Sequence, residues 1–393
     1  MEISTLEYIE RNRNEMFDLL RRLVCIQSGT YNKPGVDHVG DTLLQAIREI
    51  PVRIKRIRNE GYGDLLILSS GPVGETGAIL LVGHMDTVFP ADTHFNWYRE
   101  DELKAYGPGV IDMKGGLVEA IFTLKALDSF GILSRIPLRV IFNPDEEIGS
   151  PVSSGIIADE ARKSALALVL EGGGINGDVV TGRKGRLGLE IHVRGKAGHA
   201  ANPKVEKSSA ILALARKIVD IEAMNDVFPG VTVNIGCIKG GTVPNSIPEA
   251  AMATIDIRFD SEQAITDVKM KLSEIVNRLD APGTTSSLIE VSNRPLMAAS
   301  DRNKKLFRIA REAGERLGIP IQEEFRPGTS DASIIAATGT PVLDGLGPIG
   351  ENGHSDREYM IKDSLIARTK LLISIIESCG RSLSSGEFIR RPS

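Results

Sequence analysis

Three apolar runs limit what this chain can fold into. "GAILLVG" (residues 77–83), "LRVIFN" (138–143) and "ALALVL" (165–170) lack the alternation of apolar and polar residues that marks a half-exposed strand. Strands without that alternation are covered on both faces, as in a sheet flanked by helices. Helical patterns lie between them, at 116–130 and 153–163. The order predicts an α/β domain built on a mixed, mainly parallel, helix-flanked sheet.

After Thr181 the pattern changes. "LGLEIHVRG" (187–195) and "AMATIDIRF" (251–259) alternate apolar with polar, and helical stretches follow each, at 207–224 and 261–279. A β-α-β-β-α-β order with one open sheet face predicts a smaller α+β domain of ferredoxin-like type. The first texture returns near Asn293, through "NKKLFRIAREAGERLG" and a last helix at 362–378. At 393 residues the chain exceeds one ordinary core. The expected organisation is an α/β domain from 1–182 and 294–393, interrupted by an inserted α+β domain at 183–293. The tail "GRSLSSGEFIRRPS" is polar and expected to be loosely held.

Charge narrows the choice of partners. A net charge of -5 gives no support for nucleic acid. The run "RIKRIR" (53–58) reads as a solvated strand face. No apolar stretch reaches the roughly 18 residues of a membrane-spanning helix, so no membrane partner is expected, and the N-terminus has no signal-type apolar core. Three scattered cysteines, Cys25, Cys237 and Cys379, make neither a disulfide framework nor a thiolate metal site. A cytoplasmic location is expected.

The apolar runs end in potential ligands. The first leads into His84, with Asp86 two places on; the second into Asp145, Glu146 and Glu147; the third into Glu171. Open α/β sheets collect their sites beyond the strand carboxyl ends. Asp112 sits among glycines in "YGPGVIDMKGG", whose spacing fits neither a dinucleotide loop nor a phosphate loop, and His354 lies in the loop "NGHSDREYM". Adjacent glutamates usually mark a solvated turn, and a lone histidine is usually a satisfied surface or core group. Together, at the ends of buried strands, their repulsion calls for a cation. Two imidazoles with carboxylates and no thiolate suit Zn²⁺, with Mn²⁺ or Co²⁺ as substitutes. Asp86 is placed to anchor the second ring nitrogen of His84.

Taken in order, "GHMDTV", "GPGVIDMKGG", "NPDEEIGS", "LEGG", "GKAGHAANP", "GGTVPNSIP", "IDIRF", "GTSDAS" and "GHSDREYM" resemble the di-zinc metallopeptidase family of carboxypeptidase G, aminoacylase, acetylornithine deacetylase and succinyl-diaminopimelate desuccinylase. The likeness spans roughly residues 5 to 380 and is strongest to carboxypeptidase G. It implies two zinc ions bridged by Asp112, one completed by His84 and Glu171, the other by Glu147 and His354. It implies Glu146 as general base and a cis bond between Asp112 and Met113. It implies that His199 stabilises the oxyanion across a dimer interface and that Asn245, Arg258 and the loop around Gly328 hold the substrate carboxylate. The inserted domain would be lid and homodimer contact. In an extended segment Glu147 would point away from Glu146, separating ligand from base.

The resemblance implies an exopeptidase or amidase that releases a C-terminal amino acid, with glutamate favoured, from a small peptide or N-acyl amino acid. Glutamate rather than aspartate at position 171 leans that way, whereas "GGGING" after it lacks polar residues often found there. The nearest rival is an N-acyl-amino-acid deacylase. A metal-holding binding protein without catalysis is the remote one, and the presence of Glu146 argues against it.

Overall fold

The computed structural model describes residues 4–71, 77–202 and 204–384. They form two compact units, one from the described parts of Met1–Gly182, Ala299–Phe325 and Ser330–Ser393, the other from Arg183–Ala298 with Arg326–Thr329.

The first unit is built on a six-stranded sheet in the order Arg53–Ile57, Leu65–Ser70, Leu138–Asn143, Ala78–His84, Ser164–Val169, Val342–Leu343. The last three pairings are parallel and the first two antiparallel. Ala78–His84 is buried at every position, as its unbroken apolar sequence requires. Its neighbours Leu138–Asn143 and Ser164–Val169 are buried nearly throughout. The outer strand Arg53–Ile57 carries the basic run and is exposed along four of its five residues.

Helix Lys114–Ser129 is buried on nearly every side, and helices Arg13–Val24 and Lys362–Ser384 lie against it. The last helix continues past residue 378 to Ser384, which corrects the expected polar tail for residues 380–384. Cys379 is buried there, and a Cβ on Gly380 would come within 2.7 Å of Ile136, so the glycine lets the helix lie close to the core. The rest of the tail, 385–393, lies outside the described residues. A small antiparallel sheet pairs Gly350–Glu351, Tyr359–Ile361, Lys104–Tyr106 and Arg99–Glu100 in that order. Among the described residues, no helix is long and apolar enough to cross a membrane.

The second unit has the β-α-β-β-α-β order: Gly185–Arg194, helix Ala210–Glu222, Thr232–Gly240, Ala250–Phe259, helix Glu262–Asn277, Thr285–Arg294. Its antiparallel sheet runs Thr232–Gly240, Ala250–Phe259, Gly185–Arg194, Thr285–Arg294, the ferredoxin-like arrangement. Leu187, Leu189, Ile191 and Val193 alternate with polar residues and join Ala253, Ile255 and Ile257 in a core against the two helices. Buried Lys217 is held by the carbonyls of Ile275, Val276 and Arg278 and lies 2.7 Å from Asp280.

Candidate metal centre

Register places the candidate ligands. His84 ends its strand directly opposite Asn143, and Val82 is opposite Val169, so the carboxyl ends of three parallel strands open on one side. His84, the segment from Asp145 and Glu171 therefore leave the sheet together.

His84 is buried, and its Nδ1 lies 3.0 Å from the carbonyl oxygen of Asp86 and 3.3 Å from that residue's carboxylate. A carbonyl only accepts, so Nδ1 carries the hydrogen and the lone pair of neutral His84 is on Nε2. That nitrogen lies 3.2 Å from Asp112 Oδ1 and 3.7 Å from Glu171 Oε1. The other oxygen of Asp112, Oδ2, is 3.0 Å from His354 Nε2, which is also 3.2 Å from Glu147 Oε2. Each oxygen of Asp112 thus faces a different imidazole.

Asp86 also organises the two glutamates. Its Oδ1 accepts the backbone N–H of Glu146 and its Oδ2 that of Glu147, both at 3.2 Å. Thr30 Oγ1 donates to the same carboxylate at 2.7 Å. The segment Glu146–Ile148 is a 3-10 turn, not an extended strand, so the turn rather than a pleat separates the two side chains. A carboxylate oxygen of Glu146 lies within 4.8 Å of the ligand atoms of His84 and Glu171, and one of Glu147 within the same distance of those of His84 and Asp112.

The charges are mutually dependent. His354 is pushed up to about 11 by its hydrogen bonds to Asp112 and Glu147. Burial and the nearby Asp112 push Glu147 up to about 7. Burial likewise raises Glu171, to about 6, although His84 opposes it. Burial would raise Asp112 too, but the two imidazoles outweigh it and hold it well below the usual carboxylate range. The protein's own positive charge here is imidazolium.

These residues fit divalent cations. Glu147 Oε1 is buried without a hydrogen-bond partner, and such an orphan is costly unless something else satisfies it. The donor set is two imidazole nitrogens and hard carboxylate oxygens, which suits zinc or manganese rather than a thiophilic ion. The peptide bond between Asp112 and Met113 is cis, and His354 has φ 64°.

The substrate-side candidates all lie in the second unit. His199, exposed, pairs opposite Ser246 in a short antiparallel bridge, and Asn245 accepts the N–H of Ala200 at 3.0 Å, so those two loops come together. Arg258 projects from the open sheet face and donates to Asp256 at 2.8 Å. Gly328 accepts from Arg183 Nη1 at 3.0 Å. Arg258 stands opposite Arg186, and Arg186 opposite Arg294, so three arginines occupy facing positions across three strands. Burial would raise Asp256, but Arg186 and Arg258 outweigh it and lower its pKa.

Several supporting groups gave no sequence signal of their own. Glu358 is buried and accepts three backbone N–H groups of the loop carrying Asp112. Its one cue is its place four residues after His354. Arg368 is buried in the last helix and donates to the carbonyls of Gly177, Gly345, Leu346 and Gly347, beside Glu171, whose own carbonyl accepts the N–H of Gly347.

Residues 80–378 match the family described as peptidase family M20/M25/M40. The chain is 29% identical over 359 residues to carboxypeptidase G2 of Pseudomonas sp. (strain RS-16), covering 89% of this chain and 85% of that one. It is 29% identical over 398 residues to succinyl-diaminopimelate desuccinylase of Xylella fastidiosa (strain 9a5c), covering 93% and 98%. Among solved structures, aminopeptidase PepT of Bacillus cereus aligns with a TM-score of 0.76 at 21% identity, over 94% of this chain and 99% of that one. An M20 family metallo-carboxypeptidase of Sulfolobus solfataricus aligns at 0.72 and 17%, over 93% and 99%, and both share the fold. The chain belongs to peptidase family M20/M25/M40, metal-dependent hydrolases of peptide or acyl-amide bonds.

Proposed function

We propose that this enzyme is a zinc-dependent exopeptidase that hydrolyses the amide bond to a C-terminal amino acid, with glutamate favoured. Two zinc ions are assigned to His84, Asp112 and Glu171 on one side and Asp112, Glu147 and His354 on the other. The observation that carries this reading is the carboxylate of Asp112, with its oxygens 3.2 and 3.0 Å from the Nε2 atoms of two different histidines.

When bound, two divalent cations lower the pKa of a water and polarise the scissile carbonyl. Glu146 is the general base: it takes the proton of the attacking water as the new C–O bond forms, and returns it to the leaving nitrogen as the C–N bond breaks. Asp86 holds both His84 and the Glu146–Glu147 backbone in place. Following the family resemblance, His199 stabilises the oxyanion, and Asn245, Arg258 and the backbone at Gly328 hold the substrate carboxylate.

The row Arg258, Arg186 and Arg294 supports an acidic leaving amino acid. Asp256 pairs with both Arg186 and Arg258, and the arginine-rich face around it suits a further anionic group. The similarity to carboxypeptidase G2 agrees. The equal identity to a desuccinylase supports a second reading, an N-acyl-amino-acid deacylase with the same chemistry.

Homodimerisation through the second unit, with that unit as lid, belongs to the same reading. Edge strand Thr232–Gly240 exposes Ile238, and the adjoining helix Ala210–Glu222 exposes Val219 and Ile211, an apolar surface suited to a second copy. A reducing, cytoplasmic setting suits the three free cysteines.

A zinc-loaded substrate panel tests the assignment by release of free amino acid. Preference for peptidyl- or aroyl-glutamate supports it. Preference for N-acetyl or N-succinyl amino acids would transfer the protein to the deacylases.

A further inference from the structure

The loop that carries Asp112 presents its backbone amides to one carboxylate. Glu358 Oε2 accepts the N–H of Gly109 at 2.9 Å, and its Oε1 accepts those of Ile111 at 2.8 Å and Asp112 at 3.1 Å. The side chain is fully buried. Buried amide groups converging on one point form an anion nest, and here the chain fills it with its own carboxylate.

The loop has little freedom to do otherwise. Gly109 has φ +74°, and a Cβ there would approach Thr87 Cγ2 at 2.9 Å; one on Gly107 would meet Val24 and the carbonyl of Trp97. The Lys114 N–H also closes on the Gly109 carbonyl at 2.7 Å. Glu358 belongs to the other ligand loop. Its N–H donates to Ser355, next to His354, and it immediately precedes the strand in which Tyr359 pairs with Tyr106. A single carboxylate therefore ties the backbone N–H of Asp112 to the turn bearing His354.

We propose that Glu358 is a positioning residue that sets the separation of Asp112 and His354, and so governs the cation held by Asp112, Glu147 and His354 more than the one held by His84, Asp112 and Glu171. This rests on the two-cation reading above. The asymmetry follows from attachment: His84 and Glu171 leave the ends of parallel strands that Glu358 does not touch, whereas His354 shares its turn.

The test compares the full-length protein with Glu358→Gln and Glu358→Asp, using zinc itself as probe. Zinc content is measured by mass spectrometry and stepwise affinity by competition with a chromophoric chelator. Glutamine keeps size and shape but turns an N–H donor toward an amide that donates, either Gly109 or the Ile111–Asp112 pair. The expected result is a second zinc weakened 10- to 100-fold while the first is held within about threefold. Activity should return as free zinc is raised, with KM little changed. Glu358→Asp keeps both acceptors on a shorter stem and should fall between, which decides the matter if the glutamine variant does not fold. Two zinc ions bound as tightly as in the parent would overturn the proposal. So would equal weakening of both, the sign of a merely structural role. A parent that binds only one zinc would instead overturn the two-cation reading on which the proposal stands.

Discussion

His354 Nε2 lies 3.0 Å from Asp112 Oδ2, although the two are 242 positions apart in the chain. The small sheet accounts for that meeting. Lys104–Tyr106 and Tyr359–Ile361 pair antiparallel, and the two ligand loops spring from the same end of the pair. Asp112 then turns its remaining oxygen to His84, on the central parallel sheet.

Replacing the proposed base, Glu146, should separate binding from turnover. Glu146→Gln keeps the backbone N–H that Asp86 accepts and removes the carboxylate proposed to accept the proton. Zinc content should remain that of the parent while kcat falls about 10³-fold. Zinc content by mass spectrometry and initial rates on the same preparation check both halves.

Asp86 is expected to act through geometry. Its carboxylate accepts from Glu146, Glu147 and Thr30 and lies beside His84 Nδ1. In Asp86→Asn an amide N–H₂ must oppose one of those backbone donors. Zinc affinity or kcat/KM should fall by about 10- to 100-fold, measured by chelator competition and by steady-state rates.

Metal binding should release protons. In the metal-free protein Asp112 and Glu147 raise His354 to about 11, above the usual imidazole value. A folded value above the unfolded one means that protonated His354 stabilises the metal-free fold fully below about pH 6.5. That contribution is lost as pH rises through 11. Zinc takes neutral imidazole, so its binding at pH 7 must expel the proton, and zinc affinity must rise with pH. Titration calorimetry in buffers of different ionisation heat should give different apparent enthalpies; identical enthalpies would contradict the charge arrangement.

Arg368 is expected to be hard to replace even by another cation. Its guanidinium reaches four carbonyls from the turns around Gly177 and 345–347, and it lies near the buried carboxyl of Glu119, which burial pushes well above the usual carboxylate range although Arg368 opposes the shift. Lysine offers one nitrogen in place of a planar fork. Arg368→Lys should lower stability by about 2–3 kcal/mol and Arg368→Met by more, since Met leaves all four buried carbonyls without this donor. Chemical denaturation of the metal-free proteins measures both.

The sheet and the gathering of His84, Glu147 and Glu171 at its strand ends are legible in sequence because their signals are local. An apolar run of strand length that stops at His84 or Glu171 states both the burial of the strand and the place where a polar side chain leaves it. Sequence leaves the form of residues 146–147 open, since an extended segment and a 3-10 turn carry the same letters there. It also ends the last helix too early, because Gly380 reads as a terminus unless the nearness of Ile136 is known. Arg368 has no sequence cue and Glu358 only its place four residues after His354, for another reason. A buried charge satisfied by backbone amides or carbonyls looks in sequence like any surface residue, and its partners are fixed only when distant loops meet. The arginine row depends on register, which a bulge between Glu290 and Ser292 sets.

The central claim is a pair of cations shared by one carboxylate. A crystal structure of the zinc-loaded enzyme, with anomalous data collected on either side of the zinc edge, reads it directly. Two peaks roughly 3.5–4 Å apart are expected, one beside His84 and Glu171, the other beside Glu147 and His354, each within bonding reach of a different oxygen of Asp112. A single peak, or two peaks that leave Asp112 out of contact with either ion, would contradict it.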